Sequence, residues 1–539
     1  MKKINTGSSD FSDLRKENVI YVDKTAYMRR LASDEENKVV FMSRPRRFGK
    51  SLTVSAFKAL FTGRRELFKG LAIERLGWKW QTHPVIHFRF SEVATDSMER
   101  FDKTFSSIVK RSLETAGYEY DDNADYSFNF ANAIESLYAK SLEDHKKDPE
   151  SKGEGVVILI DEYDAPVGHA LDDIPKAEAI RARMSSLYAQ MKDRTGCIRF
   201  LFMTGISKFT KLSVFSALSN IRDMSQDDAY ATMFGYTEEE LTANFEEHLR
   251  AHAAIMGKSY EDYRAELKRW YNGFRFSPDD ETTVYNPISI AYTLSSKSAS
   301  GFTATWVTTG RPSMLMNYLK REDVLRIDPE ATKKVRANAF DVAELRDLQP
   351  IPMLYQSGYL TVKDYKNNLF TLGVPDEEVR QDLCLLMTGV AADKSVFWAS
   401  RLGDHLLCAE WDDFFDGLKS LYAAMAYGST EGRVHENSYG RCLSFLLASC
   451  GFDFKMEDVQ SNGRTDVVAR NSTLVCIFEL KVDEPVDRAF AQIRAKGYAA
   501  PYLADKRPVW LIGLSFDSKT RHLADCAAER YSKIGCGRE

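Results

Sequence analysis

The sequence predicts an α/β protein: a parallel sheet bearing a phosphate-binding loop, a mainly helical middle, and a second, smaller α/β unit toward the C-terminus. Three observations predict it. Continuous apolar runs alternate with helical periodicity in the N-terminal half, the pattern of strands buried on both faces. One such run leads into Arg44-Pro-Arg-Arg-Phe-Gly-Lys50-Ser51. Near the other end, two strand patterns carry Asp466, Glu479 and Lys481 among apolar residues.

The first strand candidate is Lys38–Ser43, followed by the Arg/Pro/Gly turn and a helical pattern from Ser51 to about Phe61. Pro84–Phe90 is the second strand, and residues 97–145 have helical periodicity. The polar, turn-rich stretch Leu142–Gly155 predicts a surface loop. Val156–Ile160 and Ile198–Met203 are the third and fourth strands, with a helix at Pro175–Lys192 between them. Residues 237–270 and about 286–345 are mainly helical in pattern. Met353–Val362 and Leu369–Leu372 predict a small hairpin, compatible with a winged-helix-like module or a plain packing unit. The pattern is helical again from about 400 to 450. Strands at 465–470, 473–481 and 508–515, with a helix at about 485–499, then form the second α/β unit.

The chain has 539 residues, and at roughly 100–200 residues per domain it holds about three to five domains. Its net charge of −5 gives no global cationic field, so any nucleic-acid surface must be a local patch. None of the eight cysteines forms a Cys-x-x-Cys pair, which argues against a zinc site. The N-terminus lacks the apolar core of a signal peptide, and no stretch of 18 or more uncharged apolar residues predicts a membrane span. The expected compartment is a reducing cytoplasm.

A phosphate-binding loop joins a buried strand to a helix; backbone N–H groups cradle phosphate, a Lys reaches the terminal phosphates and a Ser or Thr hydroxyl ligates Mg²⁺. Arg46, Arg47, Phe48, Gly49, Lys50, Ser51 and Leu52 sit in that context, although the general pattern has Gly where this chain has Arg44. Val156–Ile160 ends in Asp161-Glu162, where the first acid can hold Mg²⁺ through water and the second can orient the attacking water. Asp161 and Ser51 are therefore expected metal-site residues, and Glu162 a catalytic one. After the fourth strand, Thr204 or Ser207 could meet the γ-phosphate, and Lys208 or Arg222 could neutralise charge.

Tyr21-Val-Asp-Lys-Thr25, Arg44–Ser51, Leu159-Ile-Asp-Glu-Tyr-Asp164, Thr204-Gly-Ile-Ser207 and Phe234–Leu241 together resemble the AAA-ATPase-like proteins common in gut anaerobes. The resemblance covers essentially the whole chain, and in that family Arg44 is the usual residue. It implies an AAA-type ATP-binding core at residues 1–235, a helical lid with the possible wing at 236–385, and a nuclease-like PD-(D/E)xK domain at 386–539. It also implies that Tyr21–Thr25 lies near the adenine, and it admits a homo-oligomer.

The C-terminal residues stand on their own. Strand side chains alternate, so Glu479 and Lys481 share a face. A two-residue turn at Asn471-Ser472 would set Asp466 opposite Ile477, on that face and diagonal to Glu479. Asp466 and Glu479 could then hold Mg²⁺ to polarise a phosphodiester, with Lys481 assisting. By resemblance Gln492 supports this site, Tyr498 follows on the same helix, and Glu436 matches a further acid; His435 reads as a surface residue. The expectation is an ATP-dependent protein acting through a metal-dependent nuclease on nucleic acid, with DNA favoured. The alternative is a nucleotide-switched regulator that binds nucleic acid or protein through an inactive nuclease fold.

Overall fold

The computed structural model describes all residues except 35–37, 209–220, 299–300, 306–314, 316–318, 320–331, 341–344, 346–347, 429–435, 461–462, 503–505 and 532–539. The chain divides into two compact units, one chiefly Met1–Thr303 with Glu330–Glu377, the other chiefly Glu378–Glu539.

The first unit begins with short helices α1 (Phe11–Lys16) and α2 (Thr25–Ser33), strand β1 (Val39–Ser43) and helix α3 (Lys50–Phe61). After α4 (Ala72–Arg75) and β2 (Val85–Arg89) come α5 (Met98–Thr115) and α6 (Tyr126–Lys147). The helical pattern of 97–145 is thus two helices. Gly117, at φ +93°, lies in the break, and the Ser97 and Asp125 side chains cap the two N-termini. The loop expected from Leu142 starts later, because α6 runs on through His145, Lys146 and Lys147, and cations at a helix C-terminus favour its last turn.

Next come β3 (Val156–Asp161), α7 (Ala165–His169), α8 (Ile174–Ala189), β4 (Ile198–Gly205) and β5 (Arg222–Asp223). The sheet order is β2-β3-β4-β1-β5, all parallel. Every residue of β1 and β3 is buried, which is why these strands read as unbroken apolar runs. The chain reverses direction across the sheet at β1, the place where open α/β sheets bind ligands.

A capping box, Thr237 with Glu240, starts α9 (Glu238–Ile255), which pairs with α10 (Tyr260–Tyr271). The two-strand ladder β6 (Asn272–Phe274) and β7 (Val284–Tyr285) leads to α11 (Pro287–Ser295). The helical expectation for 286–345 holds for α11, while much of the remainder lies outside the described residues. Within it β8 (Lys333–Arg336) is a strand, a correction: Lys-Lys-Val-Arg has no helical stripe, and it gains its ladder only by pairing with a later segment. That segment belongs to the module formed by α12 (Pro350–Gln356), β9 (Thr361–Lys366) and β10 (Leu369–Gly373), whose sheet order is β8-β10-β9. The hairpin tip is Asn367-Asn368, at φ +54° and +60°, a left-handed pair that asparagine tolerates. Met353–Gln356, expected within the hairpin, is helical, because Pro350 opens a turn that buries Met353 and Leu354.

The second unit has helices α13 (Glu377–Ala391), α14 (Val396–Cys408), α15 (Trp411–Gly428) and α16 (Glu436–Ser449), then β11 (Asp453–Gln460), β12 (Gly463–Arg470), β13 (Val475–Val482), α17 (Val486–Lys496), β14 (Val509–Phe516) and β15 (Leu523–Arg530). The strand order is β11 to β15 in sequence, with β13 and β14 parallel and the other pairs antiparallel. One face of β13 (Cys476, Phe478, Leu480) joins the helical core; the other (Val475, Ile477) packs under α17. No described helix is long and apolar enough to cross a membrane.

Candidate functional site

At the end of β1 the chain turns through a loop whose shape needs two left-handed residues, Arg47 (φ +71°) and Gly49 (φ +91°). Glycine adopts this conformation freely, whereas for Arg47 it is strained, and such strain concentrates at functional loops. Glu162, at the tip of β3, is left-handed too, at φ +54°. Phe48 is 2% exposed and meets the Phe274 and Phe276 rings edge-on at 4.8 and 5.1 Å, so its side chain anchors the loop to the segment after α10.

Lys50 and Ser51 open α3. The Lys50 ammonium is buried and donates to the carbonyls of Arg44 and Pro45, both at 2.9 Å. Burial pulls its pKa down to about 8, against the attraction of Glu162, Asp161 and Asp164. The Ser51 hydroxyl donates to Asp161, although β4 separates β3 from β1. Asp161 is 1% exposed, its Oδ1 has no hydrogen-bond partner, and burial pushes its carboxyl up to about 6. An orphaned carboxylate oxygen beside a hydroxyl and a lysine fits a divalent cation bound with phosphate, because hard cations take oxygen ligands. Ser51 and Asp161 would hold it, and Lys50 with the loop N–H groups would hold the phosphates; Leu52 follows in the first turn of α3.

The neighbouring residues are engaged elsewhere. Thr204 is fully buried and donates its hydroxyl to the Met42 carbonyl at 2.7 Å, so the structure turns it into the sheet. Ser207 donates to Asp164 at 2.5 Å. Lys208 pairs with Asp223 at 2.9 Å, and exposed Arg222 lies by Asp34 and Asp227. Asp23 takes the backbone N–H groups of Thr25 and Ala72, and Lys24 reaches Glu240 at 2.6 Å, so Tyr21–Thr25 fastens α4 and α9.

Two residues went unassigned in the sequence. Asp164 accepts from Ile206 N, Ser207 N and the Ser207 hydroxyl, binding the tip of β3 to the tip of β4. A Cβ at Gly205 would come within 2.3 Å of its Oδ1, so only glycine admits this contact. The Asp-Glu-Tyr-Asp spacing was the available signal. Arg44 is 2% exposed, turned away from phosphate and solvent. It donates to the Ser43, Ser225 and Tyr230 carbonyls and lies 4.4 Å over the Phe276 ring, because it sits beneath the loop among backbone carbonyls.

In the second unit the connection between β12 and β13 is four residues, 471–474, rather than the expected two. Asn471 Oδ1 accepts from the N–H groups of Thr473 and Leu474 and holds this wider turn. The register therefore moves by two, with Arg470 against Val475 and Val467 against Phe478. An even shift preserves the face. The next step along the ladder brings Asp466 across from Glu479 rather than Ile477, and its Oδ2 accepts the Leu480 N–H at 2.7 Å.

Glu479 is 1% exposed, accepts from the Lys481 ammonium at 2.7 Å, and keeps Oε2 without a partner. Burial, reinforced by the Asp466 charge, pushes its carboxyl up to about 7. Gly513, paired with Glu479 in the sheet, lets α17 lie close, since a Cβ there would meet Val486 at 2.6 Å. The set fits a metal for the same reason as Asp161: an orphaned carboxylate oxygen with a second carboxylate alongside. Gln492 is half-buried on α17 and makes no hydrogen bond to these carboxylates among the described residues. Tyr498, beyond the end of α17, is buried in the core under that helix. Glu436 opens α16, its side chain outside the described residues, as is His435 altogether.

A P-loop sheet in one unit and a carboxylate–lysine sheet in the other define a nucleotide-binding protein joined to a nuclease-type fold. Residues 5–215 match the family described as predicted AAA-ATPase, and residues 434–525 match the PD-(D/E)XK nuclease superfamily. The chain belongs to the AAA-ATPase-like proteins that carry a C-terminal PD-(D/E)XK domain. The "uncharacterized protein in vnfD 5′ region" of Azotobacter chroococcum mcd 1 is 30% identical over 551 residues, covering 98% of this chain and 99% of that one. No solved structure matches significantly.

Proposed function

We propose that the chain binds and hydrolyses ATP with Mg²⁺ and that its nucleotide cycle controls a metal-dependent nuclease acting on nucleic acid, DNA in preference. The proposed domains are an ATPase core at 1–235, a lid and wing module at 236–385 and a nuclease domain at 386–539. One repeated observation carries the reading. Asp161 and Glu479 are each 1% exposed, and each keeps a carboxylate oxygen without a partner beside a lysine. A buried carboxylate is costly unless paired or metal-bound, so two such oxygens in two phosphate-chemistry folds support two metal sites.

In the first, Lys50 and the loop N–H groups bind phosphate, and Glu162 orients the attacking water. In the second, Asp466 and Glu479 hold the cation, which supplies polarisation of the phosphodiester, and Lys481 stabilises the developing charge. The test is cleavage of plasmid, linear DNA and RNA with Mg²⁺, with and without ATP. Cleavage lost in Lys481→Ala and made ATP-independent or lost in Lys50→Ala is the expected result. No cleavage by wild type, or equal cleavage by Lys481→Ala, rejects the nuclease.

A further inference from the structure

A chain of net charge −5 can meet nucleic acid only through a local cationic patch, and the small β8-β10-β9 sheet carries one. Register puts Arg336, Leu369 and Lys366 in one row across it, and Lys334, Thr371 and Asp364 in the next. These side chains share a face. The opposite face carries Val335, Phe370 and Tyr365, with Phe370 against Phe340 and Tyr365 at 5.3 and 4.5 Å.

Lys334, Arg336 and Lys366 are exposed, and Lys334 and Arg336 have no ion pair among the described residues. Asp364, in the second row, pairs with Lys366 at 3.0 Å, and that contact holds its carboxyl below the usual range. Strand spacing sets Arg336 and Lys366 about 10 Å apart, and Lys334 about 7 Å from Arg336. That span lies between the widths of the minor and major grooves of a duplex, roughly 6 and 12 Å.

The module's helix is not free to do this work. In α12, Gln356 accepts the Lys208 N–H at 2.9 Å and donates to Phe340 O, and Tyr355 meets Gln226 at 3.3 Å. The helix is thus docked beside the end of β4, and the sheet's outer face is the side left open.

We propose that this face grips the phosphate backbone of duplex nucleic acid, a deepening of the nuclease reading that rests on it. The Gln356–Lys208 contact then links the grip to the β4 tip that Asp164 holds beside the nucleotide loop. The test measures binding of a short labelled DNA duplex to the full chain in EDTA, across a salt series. The triple reversal Lys334→Glu, Arg336→Glu, Lys366→Glu weakens binding at least about tenfold and lowers the log–log salt slope by about 2–3, since each phosphate contact contributes about 0.9. Melting temperature and ATP affinity stay unchanged. The same reversal at exposed Lys140, Lys146 and Lys147 on α6 leaves binding as it was. Wild-type affinity in the sheet variant overturns the surface but leaves the nuclease reading standing. So does equal loss in the α6 control, or equal competition by polyglutamate, which marks a general polyanion effect. No duplex binding by wild type overturns the surface, while the nuclease reading is decided separately by the cleavage assay.

Discussion

Asp164 accepts the Ser207 hydroxyl at 2.5 Å and the Ser207 backbone N–H at 2.7 Å, fastening the tip of one central strand to the tip of its neighbour. Asp161 lies at the end of the first strand and the Lys208–Gln356 contact just past the second. Movement at the nucleotide loop would pass to the small module through this pair.

Asp164→Asn keeps the volume but points an amide N–H₂ at donors. A buried carboxylate that accepts several hydrogen bonds contributes about 1.5–3 kcal/mol for its charge-assisted contacts, so the variant loses about 2–3 kcal/mol. Chemical denaturation measures it. ATPase turnover falls more than ATP affinity, because the loop N–H groups that hold phosphate are left in place. An unchanged unfolding midpoint would remove the strut role.

Lys50 carries a second prediction, on pH. Burial lowers its pKa to about 8, and ATP phosphates alongside would raise it again. Binding therefore takes up protons near pH 8, by up to about half a proton from this group. Affinity weakens as pH rises through about 8, because the neutral amine must first be charged. Calorimetry in two buffers of different ionisation enthalpy reads the uptake; Lys50→Met loses it along with the affinity.

Glu479 gives a third. Its folded pKa of about 7 lies above the ordinary 4.5, so the folded state binds more protons between those values, and stability falls as pH rises from about 4.5 to about 7. Glu479→Gln keeps the neutral shape. In EDTA at pH 8 it should be more stable than wild type by about 1–3 kcal/mol. Mg²⁺ or Mn²⁺ stabilises wild type but not the variant. A variant less stable than wild type at pH 8 and equally stabilised by metal would sink the idea that this carboxylate is held for a cation.

Much of this was legible in the sequence for definite reasons. Strands β1, β3 and β4 are buried on both faces, so they read as apolar runs whatever their neighbours. Strand alternation put Glu479 and Lys481 on one face and an assumed two-residue turn added Asp466; that shared face survived a turn two residues longer than expected because an even slip preserves parity. What depends on distant partners was not legible. Lys333–Arg336 becomes a strand only beside Leu369–Leu372, and Thr204 meets the Met42 carbonyl only once β4 lies beside β1. Short polar edges and side-chain direction at strand ends carry no periodic signal.

Arg44 shows the same limit, and it yields the last prediction. Its guanidinium replaces the usual glycine and lies under the loop, donating to three carbonyls and stacked on Phe276. Burial lowers its pKa to about 10, still well above neutrality, so it stays charged at pH 7 and adds positive potential beneath the phosphate site. Arg44→Lys keeps the charge but cannot span carbonyls of Ser43, Ser225 and Tyr230 with one planar fork. Arg44→Met keeps much of the packing and loses both charge and donors. Leaving buried carbonyls unpaired costs about 1–3 kcal/mol each, so both variants lose stability, Met the more. ATP affinity separates the two contributions: it falls in Met beyond the fall in Lys if the buried charge itself favours phosphate. Equal affinities in the two variants would mean that Arg44 acts only by holding the loop in shape.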